Sequence, residues 1–202
     1  TDYYNIYNKV VKYIQVRLRS EKEIVKYLDK YKLDESEKTK IIEELKRVSF
    51  VNDQNFTRAF VADKMNLSNY GPYKIKQELN KHNIDKTIIE TSISSLDQSE
   101  IHDKLYRLVK KKLLANKKYS KYHLKSKITS DFMRLGYDKD MINEIFDELY
   151  VPDSNIIKRE YEKIYNNLKE KHKDDELDFK IKQKLYQKGF NIEEINEVIN
   201  GK

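Results

Sequence analysis

A pattern of a helix, a stop and a second helix recurs along this chain at a nearly fixed interval. Its clearest copy spans residues 71–93, where Ile75 and Leu79 share one helical face before a break at His82-Asn83. The apolar residues that follow the successive stops lie 51, 53 and 53 residues apart; they are Leu33, Ile84, Tyr137 and Phe190. This spacing is typical of tandem repeats that share a continuous hydrophobic core.

The stops carry residues that tolerate a left-handed backbone. Gly136 and Gly189 occupy the position that Asn83 holds in the second copy. Glycine, and less often asparagine, ends helices in the αL conformation. Because backbone dihedral angles rather than burial select these residues, they support the repeat independently of the apolar pattern. The first copy is expected to stop at Lys32, in a longer turn.

A further amphipathic stretch precedes each copy, which gives three helices per repeat. In the first repeat the apolar residues step by four along one face; they are Ile6, Val10, Ile14 and Leu18. We therefore predict an all-α fold, an elongated, curved array of tandem three-helix repeats with about four repeats and about twelve helices. The predicted repeats span residues 1–51, 52–97, 98–152 and 153–202.

Local signals place several helix ends. Ser20 and Glu23 have the spacing of a capping box, in which each side chain satisfies a backbone donor of the other residue. Pro72, directly after Gly71, suits the first turn of a helix, where its missing N–H costs nothing. Residues 171–176 are rich in charge and are predicted to form a linker before the second helix of the last repeat.

The charge balance points to an anionic partner. The 202 residues carry a formal charge of +7, with an isoelectric point near 9.1. Such a chain suits nucleic acid or an acidic protein surface, and charge alone does not choose between them. There is no cysteine, which excludes disulfides and thiolate metal sites.

Two further expectations concern the location of the protein and the start of the chain. There is no apolar run of about 18 residues, so we expect no membrane span and a cytoplasmic protein. The chain begins without an initiator methionine, as a chain trimmed of a preceding segment would.

The sequence offers no catalytic constellation. The four histidines have no metal-ligand partner three or four residues along the chain; they are His82, His102, His123 and His172. There is also no glycine-rich phosphate loop. We therefore expect no enzyme, no cofactor and no metal.

Two basic clusters are candidate binding sites. Residues 104–130 contain ten lysines and arginines and no acidic residue, and tyrosines are interleaved among them. Such a block can track a phosphate backbone, or it can form a solvated face whose lysine stems cover apolar surface. A smaller cluster, Arg17, Arg19 and Lys22, lies at a helix junction, where arginine also serves simply as a partner of the helix dipole.

Two segments resemble the RecX family, which regulates the bacterial RecA recombinase. Residues 16–28, VRLRSEKEIVKYL, are similar to the opening signature of that family, and residues 50–84 are similar to its second signature. The matching positions of the second segment are Asp53, Phe56, Phe60, Gly71, Ile75, Leu79 and Ile84. The family usually has Lys-Gly or Arg-Gly where this chain has His82-Asn83, a change that keeps an αL-compatible stop. Residues beyond about 85 match only in plan.

The resemblance implies a non-enzymatic modulator that binds in the groove of the RecA–DNA filament. Members of the family mainly inhibit ATP hydrolysis, strand exchange and co-protease activity. We expect a monomer that contacts the RecA filament, with direct contact to single- or double-stranded DNA as a secondary activity. The expected contact residues, chosen from charge and position, are Arg17, Arg19, Lys22, Lys26, Lys110, Lys111, Lys117 and Lys118.

Two other functions compete with this interpretation. The first is a sequence-nonspecific DNA-binding protein built from tandem three-helix units. Myb-type repeats have a similar period, but the tryptophans of their core are absent here. The second is a helical scaffold for some other acidic partner.

Overall fold

The computed structural model describes residues 3–201, and within that range the chain is all-α, with twelve helices and no strand. Their bounds are α1 Tyr3–Val16, α2 Glu21–Leu28, α3 Glu35–Arg47, α4 Asp53–Leu67, α5 Pro72–Asn80, α6 Lys86–Ser94, α7 Gln98–Leu114, α8 Lys121–Arg134, α9 Lys139–Leu149, α10 Ser154–Leu168, α11 Asp174–Gln187 and α12 Ile192–Asn200. The predicted all-α repeat with about twelve helices is confirmed. The four repeat boundaries stay a prediction, and each predicted range contains three successive helices.

The chain divides into two compact units, residues 1–101 and 102–202. In the first unit, one hydrophobic cluster joins α1, α2 and α3; its buried residues are Ile6, Val10, Ile14, Ile24, Leu28, Ile41, Leu45 and Val51. Another joins α4, α5 and α6; its buried residues are Phe56, Val61, Ile75, Leu79, Ile84 and Ile89. Three successive helices therefore bury their apolar faces against one another in each cluster.

The second unit follows the same plan. A cluster joins α10, α11 and α12; its buried residues are Ile156, Ile157, Ile164, Leu177, Ile181, Leu185, Phe190, Ile195 and Ile199. Ahead of it, α8 buries Leu124, Ile128 and Phe132. Tyr137, the residue after the α8 stop, is 3% exposed, and burial raises its pKa to about 12.

The predicted stops have the expected backbone in three of the four copies. The φ angles are 55° at Asn83, 89° at Gly136 and 83° at Gly189. Lys32 is not among the described residues with positive φ, so the predicted stop of the first copy is wrong in its backbone. Its longer turn reverses the chain without a left-handed residue, and Ser49, after α3, has a φ of 60° instead.

The local signals are mostly confirmed. Ser20 and Glu23 form the capping box at α2, and α5 begins at Pro72 after Gly71. The predicted linker at residues 171–176 is too long, because α11 already begins at Asp174. Three acidic residues in that first turn favour a helix start, since they complement the positive end of the helix dipole.

Leu18 does not belong to the buried face of α1. The helix ends at Val16, so the fourth step of the apolar pattern falls beyond it, and Leu18 is 52% exposed. The first three residues of the stripe, Ile6, Val10 and Ile14, are buried as predicted.

Glu160 on α10 is a buried carboxylate held by two lysines. It is 5% exposed; Lys163 Nζ lies 3.0 Å from one carboxylate oxygen and Lys188 Nζ lies 3.1 Å from the other. Burial raises the pKa of Glu160, but the two lysines lower it more, so its pKa lies below the ordinary value. A depressed pKa stabilises the fold above the unfolded pKa, and this stability is lost as pH falls through the folded pKa.

We expect Glu160→Gln to lower the free energy of unfolding by about 1–2 kcal/mol near neutral pH, because both lysines are half-exposed and partly screened. The difference from the parent chain should shrink as the pH falls below about 4. Urea unfolding at several pH values measures it. Glu162→Gln, at an exposed position of the same helix, is the control. A difference that did not change with pH would contradict the ion-pair explanation.

Candidate partner-binding surfaces

In the first unit, the buried side chain of Ser20 joins helices α1–α3 to helices α4–α6. The Ser20 hydroxyl accepts a hydrogen bond from the Glu23 amide and donates one, at 2.8 Å, to the His82 carbonyl oxygen. The next amide, that of Glu21, donates to the Asp53 carboxylate at 2.9 Å. Because Ser20 caps α2 while His82 lies at the α5 stop, one side chain links the first three helices to the next three.

The second unit contains an equivalent link. The Ser120 hydroxyl accepts from the His123 amide at the start of α8 and donates to the Lys188 carbonyl oxygen at 2.9 Å. Lys188 precedes Gly189, as His82 precedes Asn83. An equivalent capping serine therefore contacts the equivalent stop position in each unit. This contact positions the helices that form the surfaces described below.

An open groove lies at the link in the first unit. It has a volume of about 480 Å³, and we call it the Arg17 groove. Its wall residues include Arg17, Leu18, Phe60, Leu67 and His82. Leu67 is 83% exposed, and with Leu18 it presents apolar surface beside a guanidinium group. Adjoining exposed apolar side chains often mark a protein-interaction site, and arginine is enriched among the residues that dominate binding there.

Ion pairing fixes the charged edge of the Arg17 groove. Arg17 Nη2 lies 2.6 Å from Glu23 Oε1, and the His82 ring lies 3.7 Å from the same oxygen. Burial raises the pKa of Glu23, but hydrogen bonds from Arg17 and from the Ser20 amide lower it more, so the net pKa is below the ordinary value. The His82 ring also packs against Phe60, with ring centroids 5.2 Å apart. Arg17 is therefore held in place before any partner binds.

The other predicted contacts of the first unit do not line this groove. The Arg19 guanidinium stacks over the Tyr13 ring at 4.0 Å, and its buried Nε has no hydrogen-bond partner. Lys22 and Lys26 are exposed on α2, one turn apart. The structure thus brings one of the four predicted residues, Arg17, to an apolar recess and leaves the two lysines on a solvated face.

The predicted lysines of the second unit lie where α7 ends. Lys110 and Lys111 are exposed near the end of α7, and Lys117 and Lys118 are exposed in the loop before α8. Lys118 lies over the Tyr119 ring at 5.0 Å. We call these four residues the α7 lysine cluster.

Residues 104–130 contain no acidic residue, but acids outside this block pair with some of its lysines. Asp131, just beyond the block, lies 3.8 Å from Lys112 and 3.9 Å from Lys127. Asp147 of α9 lies 2.6 Å from Lys125. The folded chain therefore neutralises part of the block with acids that follow it in sequence.

A larger groove lies along α8, and no motif of the sequence indicates it. It has a volume of about 1080 Å³, and we call it the α8 groove. Its lining residues include Tyr122, Ser126, Ser130 and Met133 of α8, Lys139 at the start of α9, and Glu194 of α12. Lysines of α8 were visible in the basic block, but their position in a groove depends on α9 and α12, which the local pattern does not report.

The structure can be compared with the expectations on metal ligands and membrane spans. Among residues 3–201, no group of three or more histidine, cysteine, aspartate or glutamate side chains is placed to hold a metal ion. The expectation that no histidine has a partner four residues on is wrong for His172, whose ring lies 2.9 Å from Glu176. No helix in the same range combines the length and apolar character needed to cross a bilayer.

Comparison with known proteins identifies the family. Residues 52–93 match the model of the RecX second three-helix domain. A regulatory protein RecX of Oceanobacillus iheyensis is 30% identical over 96% of this chain and 73% of its own length. The chain belongs to the RecX family. Another regulatory protein RecX, from Streptococcus agalactiae, is 30% identical over 93% of this chain and 74% of its own length.

Solved structures of RecX have the same fold. The crystal structure of RecX from Lactobacillus salivarius superposes with a TM-score of 0.69 at 28% identity, covering 73% of this chain and 96% of that one. A second crystal structure of a regulatory protein RecX gives a TM-score of 0.64 at 19% identity, covering 72% of this chain and 73% of that one, and supports the fold alone. The predicted membership of the RecX family is confirmed.

Proposed function

We propose that this chain is a non-enzymatic regulator that binds the RecA–DNA filament and mainly inhibits its ATP hydrolysis, strand exchange and co-protease activity. The observation that carries the proposal is 30% identity over 96% of the chain to a protein named as a regulatory protein RecX. A match of that extent makes a shared partner the simplest hypothesis. The proposed location is the groove of the filament.

The Arg17 groove is the proposed protein contact. It combines exposed apolar side chains, Leu18 and Leu67, with an arginine that is already oriented by Glu23. Arginine is enriched among the residues that contribute most to the affinity of protein interfaces, and exposed apolar patches often mark such interfaces. Arg19, Lys22 and Lys26, on the same unit, are proposed as surrounding charged contacts, which affect association rate more than affinity.

Titration of ATP hydrolysis tests the proposal. The cognate RecA is assembled on single-stranded DNA, the protein is added, and its binding to naked DNA is measured at the same salt concentration. We expect inhibition at concentrations too low to coat the DNA. If hydrolysis fell only where naked DNA was already saturated, or did not fall, a filament-directed mechanism would be excluded.

Direct DNA contact is the second candidate function, and the α7 lysine cluster supports it. Lys110, Lys111, Lys117 and Lys118 are exposed, and no acidic side chain lies within ion-pair distance of them among the described residues. Exposed ammonium groups of this kind release counterions when they contact phosphates.

We expect the double variant Lys110→Glu with Lys111→Glu to weaken filament binding about tenfold and to flatten its salt dependence by about one to two in the slope of log K against log salt. The pair Lys182→Glu with Lys184→Glu, at exposed positions of α11, makes the same change in charge and is the control. Binding measured over a salt series decides the matter. An unchanged slope in the first pair would make the α7 lysine cluster a solvated face.

A further inference from the structure

The floor of the α8 groove is a stripe along one helix. Tyr122, Ser126, Ser130 and Met133 follow one another at steps of four, four and three residues, so they lie on one side of α8. Tyr122 is 71% exposed and Met133 is 48% exposed, whereas the two residues between them are small hydroxyl side chains. The floor is therefore lowest in the middle and is bounded by a bulky apolar side chain at each end.

The length of this floor limits what it can accommodate. Met133 lies eleven positions after Tyr122, which corresponds to about 16 Å at the helical rise per residue. This distance matches about three turns of a second helix lying along α8. Small residues at the middle of a helical face let a second backbone approach closely, and the end residues can insert between its side chains.

The charges around the floor are positive but discontinuous. Lys121 lies over the Tyr150 ring at 5.2 Å, and Lys139 stands at the start of α9. Two further cations of the groove are already paired, Lys125 with Asp147 and Arg134 with Asp131, each at 2.6 Å. Glu194, on the α12 side, is used in a capping box by the Asn191 amide.

We propose that the α8 groove binds an acidic amphipathic helix of a partner protein. Its apolar face covers Tyr122 and Met133, its backbone lies over Ser126 and Ser130, and its carboxylates meet Lys121 and Lys139. This assignment goes beyond regulation of RecA and does not depend on it.

A nucleic-acid strand fits the α8 groove less well. A phosphate backbone needs a continuous series of available cations, whereas Lys125 and Arg134 are neutralised here by the protein's own acids. Glu194 would also repel a phosphate that passed along the α12 side. An amphipathic helix presents a few separate carboxylates and one apolar face. These features complement the separate lysines and the apolar ends of the groove.

A designed peptide tests the proposal on the full chain. The probe is a fluorescein-labelled peptide of about fourteen residues, with leucines at positions i, i+3, i+4 and i+7 and glutamates at most other positions. A scrambled peptide of the same composition and an oligothymidylate of similar length are the controls. Binding is followed by fluorescence anisotropy. We expect saturable binding of the ordered peptide, at least about tenfold tighter than that of the scrambled one.

Variants locate the bound peptide. Ser130→Tyr fills the exposed floor without adding charge, and Lys139→Glu reverses one charge at the wall; each should weaken peptide binding at least about fivefold. Lys182→Glu, on α11 and outside the groove, should leave it unchanged. Circular dichroism and thermal unfolding check that each variant retains its fold, and Ser126→Tyr replaces Ser130→Tyr if the latter does not.

The contrary outcomes are distinct. Absence of peptide binding, equal binding of the scrambled peptide, or equal sensitivity to Lys182→Glu would overturn the proposal. So would binding of oligothymidylate, but not of the peptide, with loss in the groove variants, because that would assign the groove to nucleic acid. None of these measurements contains RecA, so their failure is separate from failure of the regulatory function.

Discussion

The variant Gly189→Val is expected to unfold with a free energy about 3–5 kcal/mol below that of the parent chain. Gly189 has a φ of 83°, a region that β-branched residues rarely occupy. A Cβ atom at this position would lie 2.7 Å from Ser120 Oγ and 3.0 Å from the His123 ring. Strain in the backbone and overlap with α8 therefore add. Urea unfolding followed by circular dichroism measures the loss.

A double-mutant cycle separates the two causes. Gly189→Ala is compared in the parent chain and in a Ser120→Ala background, where the closest atom is gone. The two changes should be non-additive by about 1 kcal/mol or more, because the second relieves the overlap caused by the first. Asn167→Ala, at an exposed position of α10, serves as the control. If Gly189→Ala fell within about 0.5 kcal/mol of that control, the stop would not constrain the fold.

The stops explain why so much of the fold could be predicted. A residue such as Gly136 or Gly189 is selected by the φ angle of its own position, and that constraint is local. Capping boxes, such as Ser20 with Glu23, are also local, since both partners lie within one helical turn. The helices and their grouping into sets of three therefore follow from short segments, without knowledge of how distant segments pack.

The links between helices could not be predicted in the same way. Ser20 was identified as a helix cap, but its second hydrogen bond reaches His82, 62 residues away. Asn52 caps α4, whereas the neighbouring Asp53 accepts a hydrogen bond from the distant Glu21 amide. When a side chain caps its own helix and also bonds to a distant segment, only the capping role can be recognised from the sequence.

The candidate site shows a similar limit. Charge density suggested the lysines near the end of α7, and they are indeed exposed. Charge density did not reveal that Asp131 and Asp147 balance Lys112, Lys125 and Lys127, because those acids are brought in by folding. The step of four places Leu18 on the apolar face of α1, but the helix ends at Val16 and Leu18 is exposed.

That exposure leads to the prediction with the largest expected effect on function. The double variant Leu18→Ser with Leu67→Ser should weaken inhibition of RecA ATP hydrolysis by about tenfold to a hundredfold. The two leucines are 52% and 83% exposed, so their loss removes apolar contact from the Arg17 groove with little effect on the core. Thermal unfolding of the variant checks that the fold is unchanged.

The matched control is Phe179→Ser with Tyr186→Ser, which removes two aromatic side chains that are 63% and 66% exposed on α11. This pair removes at least as much exposed apolar surface, yet it should leave inhibition unchanged, because it lies outside the Arg17 groove. Equal weakening by both pairs would mean that inhibition responds to exposed apolar area in general, which would contradict a contact at this groove.

Salt dependence separates the two proposed surfaces. Serine and leucine are both uncharged, so the leucine pair should lower the affinity for the filament without changing the slope of log K against log salt. The lysine pair Lys110→Glu with Lys111→Glu should change that slope. If the leucine variant inhibited normally while the lysine variant did not, the contact would be electrostatic and centred on the α7 lysine cluster. The opposite result would place it at Arg17, where apolar side chains adjoin a guanidinium group that Glu23 already holds.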